Sequence, residues 1–201
     1  MTVSDKELVR RCQVDAAAFE ELMRRYRRTI FAYAAAATGS RQDAEEITQD
    51  VFVKVYRAAH RFNSRYSFTT WLYKIASNTC KNKLRSRRHA TPVSLDGEEN
   101  AVVAVSGQPG PLDVYRQAVE VAEVREVIGG LPPRYREVLY FRYVEGLSYR
   151  EIADVLGLSI GNVEARIFRG KERVRETLLK KTARADRSDA RSTGEAGREF
   201  V

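Results

Sequence analysis

Between Thr91 and Pro111 the chain carries Pro92, Gly97, Gly107, Pro109, Gly110 and Pro111. Proline removes a backbone donor and clashes with the preceding helical turn, and glycine costs helix stability, so no long helix runs through this stretch. About twenty residues without periodicity are too many for a tight connection and too few for a further domain. The 201 residues are therefore split, and each part must bury its own core. Charge follows the same division. Residues 1–90 hold 18 Lys and Arg against 9 Asp and Glu, whereas residues 91–113 hold no base and four acids, Asp96, Glu98, Glu99 and Asp113. Residues 114–180 return to 12 bases and 10 acids. The pattern predicts two modules on an acidic tether, against the plainer alternative of a floppy linker with a chance charge bias.

Both flanks read as helix. Phe19, Leu22, Met23, Tyr26 and Ile30 step by three or four and place an apolar stripe on a helix from about Asp15 to Thr38, ended by Gly39. Ser40 with Asp43 resembles a capping pair opening a second helix through Ile47, Val51, Phe52 and Val55. A third runs from near Phe68 to about Arg88, with Trp71, Leu72, Ile75, Thr79 and Leu84 inward. After the tether, Val114 to Ile128 is helical and Gly129-Gly130 stops it. Pro132 and Pro133 suit the first turn of a helix carrying Val138, Leu139 and Phe141. The expected fold is all-α: two small helical domains, residues 1–90 and 114–181, joined by a flexible acidic linker over 91–113, the second containing a helix-turn-helix. Residues 182–201 have few apolar side chains and read as a disordered tail.

The helix-turn-helix is expected over Ser148 to Arg169, SYREIADVLGLSIGNVEARIFR. Ser148 can cap Tyr149–Leu156, Gly157 supplies the positive φ of the turn, and Ser159 caps the last helix. Ile152, Ala153 and Leu156 face Leu158, Val163 and Ile167, and Ala153 is small where the two backbones approach. In such a motif the second helix enters the major groove. Ile160, Gly161, Asn162, Glu164 and Ala165 then reach base edges, while Arg166, Arg169, Lys171, Arg173 and Arg175 suit phosphates. Asn162 can pair with adenine and Glu164 can accept from a cytosine amino group, although Glu164 also repels phosphate. Gly-broken hairpins also occur in plain helical bundles.

Residues 61–88 read RFNSRYSFTTWLYKIASNTCKNKLRSRR, with Phe62, Tyr66, Phe68, Trp71 and Tyr73 close together and Lys74, Lys81, Lys83, Arg85, Arg87 and Arg88 following without an acid. Aromatic faces stack on unpaired bases while cations hold the backbone, which is what single-strand capture needs. Asn63, Ser64, Arg65, Tyr66 and Ser67 offer polar groups that can read an extruded base. Taken singly, Phe68 and Trp71 read as core, so this reading rests on the stripe as a whole.

Other classes are poorly served. There is no Walker-type phosphate loop, no GxGxxG after a strand and no GxSxG elbow, so no catalytic residues are assigned. Cys12, Cys80, His60 and His89 lack metal-ligand spacing, and neither a metal nor a cofactor is expected. The carboxylates Asp43, Glu45, Glu46 and Asp50 better suit a helix face that docks on protein. No apolar run approaches the roughly 20 residues of a membrane span, and Met1 to Arg11 lacks a signal peptide's apolar core. A reducing, cytoplasmic setting is expected. The formal charge of +8 favours a polyanionic partner.

These motifs together resemble the extracytoplasmic-function (ECF) sigma factors, two-domain members of the bacterial sigma-70 family. DAEEITQDVFVKVY (Asp43 to Tyr56) resembles regions 2.1 and 2.2, and FTTWLYKIASNTCKNKLRSRR (Phe68 to Arg88) resembles regions 2.3 and 2.4. LPPRYREVLYFRYVEGL (Leu131 to Leu147) and the segment after it resemble region 4. The family's recognition helix usually opens near GTVKSR, whereas this chain has Gly161-Asn162-Val163-Glu164-Ala165-Arg166, an acid where a base is usual.

The resemblance implies a protein that binds the bacterial RNA polymerase core, recognises the −10 and −35 elements of promoter DNA and helps to initiate transcription without covalent chemistry. Asp43, Glu46, Gln49 and Asp50 would dock on the polymerase clamp helices. Phe62, Asn63, Ser64, Tyr66, Ser67 and Phe68 would accept a flipped −10 base, with Trp71, Lys74, Asn78, Asn82 and Arg85 along the melting surface. Ser159, Gly161, Asn162, Glu164, Arg166, Arg169 and Arg173 would read the −35 element. An inhibitory anti-sigma factor is a further implied partner, and no membrane insertion is implied. Two alternatives stay open. A stand-alone helix-turn-helix regulator would form a homodimer on a palindrome, and a helical adaptor would leave promoter DNA alone.

Overall fold

The computed structural model describes residues 3–90 and 127–195, with the side chains of 88–90 and 182–195 outside that description. The elements are α1 (Asp5–Arg11), α2 (Ala16–Thr38), α3 (Arg41–Ala58), a 3-10 turn (Ala59–Arg61), α4 (Phe68–Ala90), α5 (Pro133–Tyr143), α6 (Tyr149–Leu156) and α7 (Ile160–Glu195). Residues 127–129 are also helical, and no strand occurs among the described residues. The architecture is all-α, in two helical clusters, α1–α4 and α5–α7. The expected linker over 91–113 and most of the helix expected from Val114 lie outside the described residues.

Local chemistry sets the helix ends. The Asp15 carboxylate accepts from the amides of Ala17 and Ala18 at 3.0 and 3.3 Å, satisfying donors that the first turn cannot. Gly39 closes α2 at φ 67°, and the Ser40 hydroxyl accepts from the Asp43 amide to open α3. Between these ends, Leu22 and Ile30 of α2 meet Ile47, Val51 and Val55 of α3 with almost no exposure. Each such side chain contributes about 1.5–3 kcal/mol by leaving water.

Two elements differ from expectation. The short helix α1 was not foreseen. Its Ser4 cap holds the Glu7 amide, Leu8 and Val9 are buried with the adjoining Cys12, and Asp5 accepts from Arg25 and from the Tyr26 hydroxyl, tying α1 to α2. At the other end, helix α7 continues past Lys181 to Glu195, where a disordered tail was expected. The segment TARADRSDARSTG holds no proline and several alanines and arginines, which favour helix without any apolar stripe.

Helix α4 buries more than one side. Leu72 and Thr79 are inward as expected and Trp71, Ile75 and Leu84 half-buried, but Tyr73, Ser77 and Cys80 are buried too. The second cluster covers them. Phe141 of α5 stacks on Tyr33 with centroids 5.0 Å apart and meets Tyr73 edge-on at 5.1 Å. Glu137 accepts from the Tyr33 hydroxyl at 3.0 Å and from Ser77 at 3.3 Å, and Lys81 lies 3.8 Å away. Arg136 donates to the Ala36 carbonyl at 3.1 Å. Burial there, helped by the charge of Glu137, pushes the Cys80 thiol up to about 12, so it is an inert apolar filler. No helix among the described residues is long and apolar enough to cross a membrane.

Candidate nucleic-acid interface

The loop before α4 is held at both ends. Lys6 donates to the Ser64 carbonyl at 2.7 Å, Asn63 accepts from the Arg65 amide at 3.0 Å, and Ser67 caps α4 by accepting from the Thr70 amide at 3.0 Å. Asn63, Tyr66 and Ser67 are thereby left exposed, Tyr66 at 54%. Phe62 lies 5.3 Å from Trp71 and 6.0 Å from Phe68. Phe68 is core, at 3% exposure and edge-on to Tyr26, while Phe62 and Trp71 are half-buried and Ser64 is partly covered. Phe62, Phe68 and Trp71 thus form an aromatic cluster beside exposed polar side chains.

Lys74, Asn78, Asn82 and Arg85 continue from Trp71 along one exposed face of α4, at the three- and four-residue steps that share a helix side. Helix α4 sorts its cations. Lys83 is paired with Glu46 and Asp43, and Arg87 with Asp43 at 2.7 Å, while Lys74 and Arg85 have no carboxylate partner among the described residues. The unpaired stripe can therefore meet phosphate without first breaking an ion pair.

That sorting changes the view of the acidic face on α3. Asp43, its side chain 14% exposed, and the exposed Glu46 are both engaged by α4, while Gln49 and Asp50 are exposed without an ion pair to α4. Gln49 lines a groove of about 700 Å³ with Phe19, Met23, Phe52, Val53 and Tyr56, edged by Arg27 and Arg57. Val53 and Tyr56 stay 46% and 41% exposed. The sequence reading missed this groove. The available signal was a valine and a tyrosine off the α3 stripe of Ile47, Val51 and Val55, where the pattern calls for polar residues.

In the second cluster, Ser148 and Glu151 form a reciprocal cap on α6. The Ser148 amide and hydroxyl both donate to the Glu151 carboxylate, holding it below the usual glutamate range. Gly157 turns the chain at φ 68° and ψ 40°, and Ser159 accepts from the Asn162 amide to start α7. Val163 and Ile167 anchor α7 inward, and Gly170 lets it approach Leu139 of α5. Ser159, Ile160, Gly161, Asn162, Glu164, Ala165 and Arg169 are exposed as expected. Arg166 is half-covered and donates to Asn162 at 3.0 Å, so each orients the other. Phe168, 67% exposed one turn beyond Glu164, was not anticipated. An aromatic ring there can contact a thymine methyl.

Comparison with known proteins agrees with this layout. Residues 22–90 match the family model described as Sigma-70 region 2, and residues 122–174 match Sigma-70, region 4. The RNA polymerase sigma-H factor of Pseudomonas aeruginosa is 36% identical over 182 residues, covering 87% of this chain and 93% of that protein. The ECF RNA polymerase sigma factor SigE of Mycolicibacterium smegmatis is 29% identical over 170 residues, covering 85% of this chain, which spans only 65% of that relative's length. A solved structure of CnrH in complex with the cytosolic domain of CnrY superposes with a TM-score of 0.61 at 28% identity, covering 87% of this chain and 96% of that one.

Proposed function

Since the chain belongs to the sigma-70 family, as an ECF sigma factor, we propose that its two clusters bind core RNA polymerase and engage one promoter at two separated elements. It is an initiation factor and not an enzyme. The observation that carries the reading is the order of two family regions along one chain, each ending in an exposed face suited to nucleic acid.

The first cluster takes the −10 element. A base leaving the stack costs a few kcal/mol, which contacts with the Phe62–Ser67 loop and along Trp71, Lys74, Asn78, Asn82 and Arg85 offset. Polymerase docks on α3 through Gln49, Asp50 and the apolar groove beside them. Asp43 and Glu46 contribute by fixing α4 on α3, which aligns the DNA stripe with the docking face. The second cluster takes the −35 element: α6, Gly157 and α7 act as a helix-turn-helix with Gly161, Asn162, Glu164 and Phe168 toward bases and Arg169 and Arg173 toward phosphates.

A polymerase partner places the protein in the cytoplasm. An inhibitory anti-sigma partner belongs to the same proposal, supported by CnrH, which is held in complex with the cytosolic domain of CnrY. The test is run-off transcription by purified core polymerase on a pool of genomic promoters, with and without the protein. New transcripts from promoters sharing two spaced elements are expected. Failure to join core enzyme, with promoters left closed, refutes it.

A further inference from the structure

The short helix α1 grips the loop before α4 at a single peptide. The Tyr66 amide donates to the Asn63 carbonyl at 3.1 Å, closing a four-residue turn with Ser64 and Arg65 at its centre. The peptide between those two residues is held from both sides. Its N–H, on Arg65, donates to the Asn63 side-chain oxygen at 3.0 Å, and its carbonyl, on Ser64, accepts from the Lys6 ammonium at 2.7 Å. The direction of this central peptide separates the two common turn types, so fixing it fixes the turn. Asn63 acts from within the loop. Lys6 acts from 58 positions away.

A lysine can pin a loop only where its own backbone is held, and α1 meets that condition. Leu8, Val9 and the adjoining Cys12 are buried. Asp5, next to Lys6, accepts from Arg25 at 2.7 Å and from the Tyr26 hydroxyl at 2.5 Å. The Tyr26 ring stands edge-on to Phe68 at 5.2 Å, and Phe68 stands edge-on to Phe62 at 6.0 Å. Two adjacent residues of α1 therefore act on one loop, Lys6 on its turn directly and Asp5 on its aromatic flanks through Tyr26. These contacts leave the base-reading groups available. The Asn63 side-chain nitrogen and the Tyr66 hydroxyl have no hydrogen bond among the described residues, and both residues are exposed.

We propose that Lys6 is a positioning residue for capture of the −10 base: it presets the Asn63–Tyr66 turn, so that the Asn63 amide and the Tyr66 ring stand in place before DNA arrives, and it touches no DNA itself. The inference rests on the reading of the Phe62–Phe68 loop as the base acceptor. A loop already ordered loses less conformational freedom on binding, which is where the gain comes from. An ammonium suits the task because it only donates, and so cannot compete with Asn63 for the Arg65 N–H.

The test uses the full chain bound to core polymerase and a labelled single strand carrying the −10 element of a promoter found by run-off transcription. An abasic site is placed at each position in turn, and the position whose loss costs the wild type most is the captured base. Lys6→Met, which keeps the stem and loses the donor, should weaken binding to the intact strand about 3–10-fold, the worth of one hydrogen bond. On the strand abasic at the captured position it should bind as the wild type does. The salt slope should not change, and Lys6→Arg, which keeps a donor, should recover most of the loss. Asn63→Ala and Tyr66→Ala report on the loop itself. If they lose base-dependent binding and Lys6→Met does not, the positioning role is refuted while the reading of the loop stands. If no abasic position matters to the wild type and the loop variants bind as it does, the loop takes no base and both fail. Equal weakening of Lys6→Met on intact and abasic strands also overturns the proposal. A slope flatter by about 0.7 would then mark Lys6 as a phosphate contact, and an unchanged slope would mark it as merely structural.

Discussion

Glu137→Ala isolates the joint between the two clusters. Its carboxylate accepts from the buried Tyr33 hydroxyl at 3.0 Å, from Ser77 at 3.3 Å, and faces Lys81 at 3.8 Å. A hydrogen bond to a charged acceptor is worth about 1.5–3 kcal/mol, and the long contact to Ser77 belongs at the low end for neutral donors, about 0.5 kcal/mol. Lys81 is 42% exposed, so its screened pairing adds at most a few tenths of a kcal/mol. Burial, with the charge of Glu137 adding to it, keeps the Tyr33 phenol well above its ordinary range, so it remains a donor at any working pH. Truncation leaves that donor buried without its acceptor. The expected loss is about 2–3 kcal/mol, lowering the melting midpoint of a chain this size by about 4–12 °C. Tyr33→Phe removes the same bond while sparing the other two partners, and should cost less. In a double-mutant cycle followed by chemical denaturation, the pair should couple by at least about 1 kcal/mol. A Glu137→Ala loss below about 0.5 kcal/mol, with additive effects in the cycle, would refute the packing of α5 on α2 and α4 through this carboxylate.

Gly157→Ala should cost about 1 kcal/mol in denaturation, because φ 68° penalises a Cβ even where no neighbouring atom stands within 4 Å. An unchanged midpoint would mean the turn relaxes freely. In acid, Glu21 is held down to about 2 by hydrogen bonds from Arg24 and Arg25, Asp15 is held below the carboxylate range by Arg11 and the Ala18 amide, and Glu151 by Ser148. Folded values below unfolded ones stabilise the fold above about pH 4.3, and that contribution is lost as pH falls toward about 2. Melting midpoints should fall across that window, and Glu21→Gln should flatten the lower end; a profile indifferent to Glu21→Gln would count against the Arg24 and Arg25 bonds. Glu164→Lys should steepen the salt dependence of promoter binding by about 0.9 and narrow the gap between matched and random −35 sequences. Equal slopes and equal preference in the two proteins would place Glu164 away from DNA.

What the sequence disclosed and what it hid differ by the range of the physics involved. Asp15, Ser40, Ser148, Ser159, Gly39 and Gly157 act on amides or dihedrals within three residues, so a linear reading finds them. Partners thirty or more positions away leave no such mark. The second buried side of α4 exists because Phe141 and Glu137 arrive from beyond the tether, and nothing in α4 itself announces that Ser77 and Cys80 are covered. Asp43 and Glu46 likewise looked like a free docking face, because only folding shows that Lys83 and Arg87 lie opposite them. Helix α7 makes the complementary point. Apolar periodicity detects burial rather than helicity, so a helical extension rich in alanine and arginine is invisible to it. The same reasoning explains why the best functional clues were misfits to the periodic pattern. Val53, Tyr56 and Phe168 are apolar where their helices need no core residue, and each stays exposed. The proposed polymerase-docking face and the proposed major-groove contact are set against these exposed surfaces for that reason.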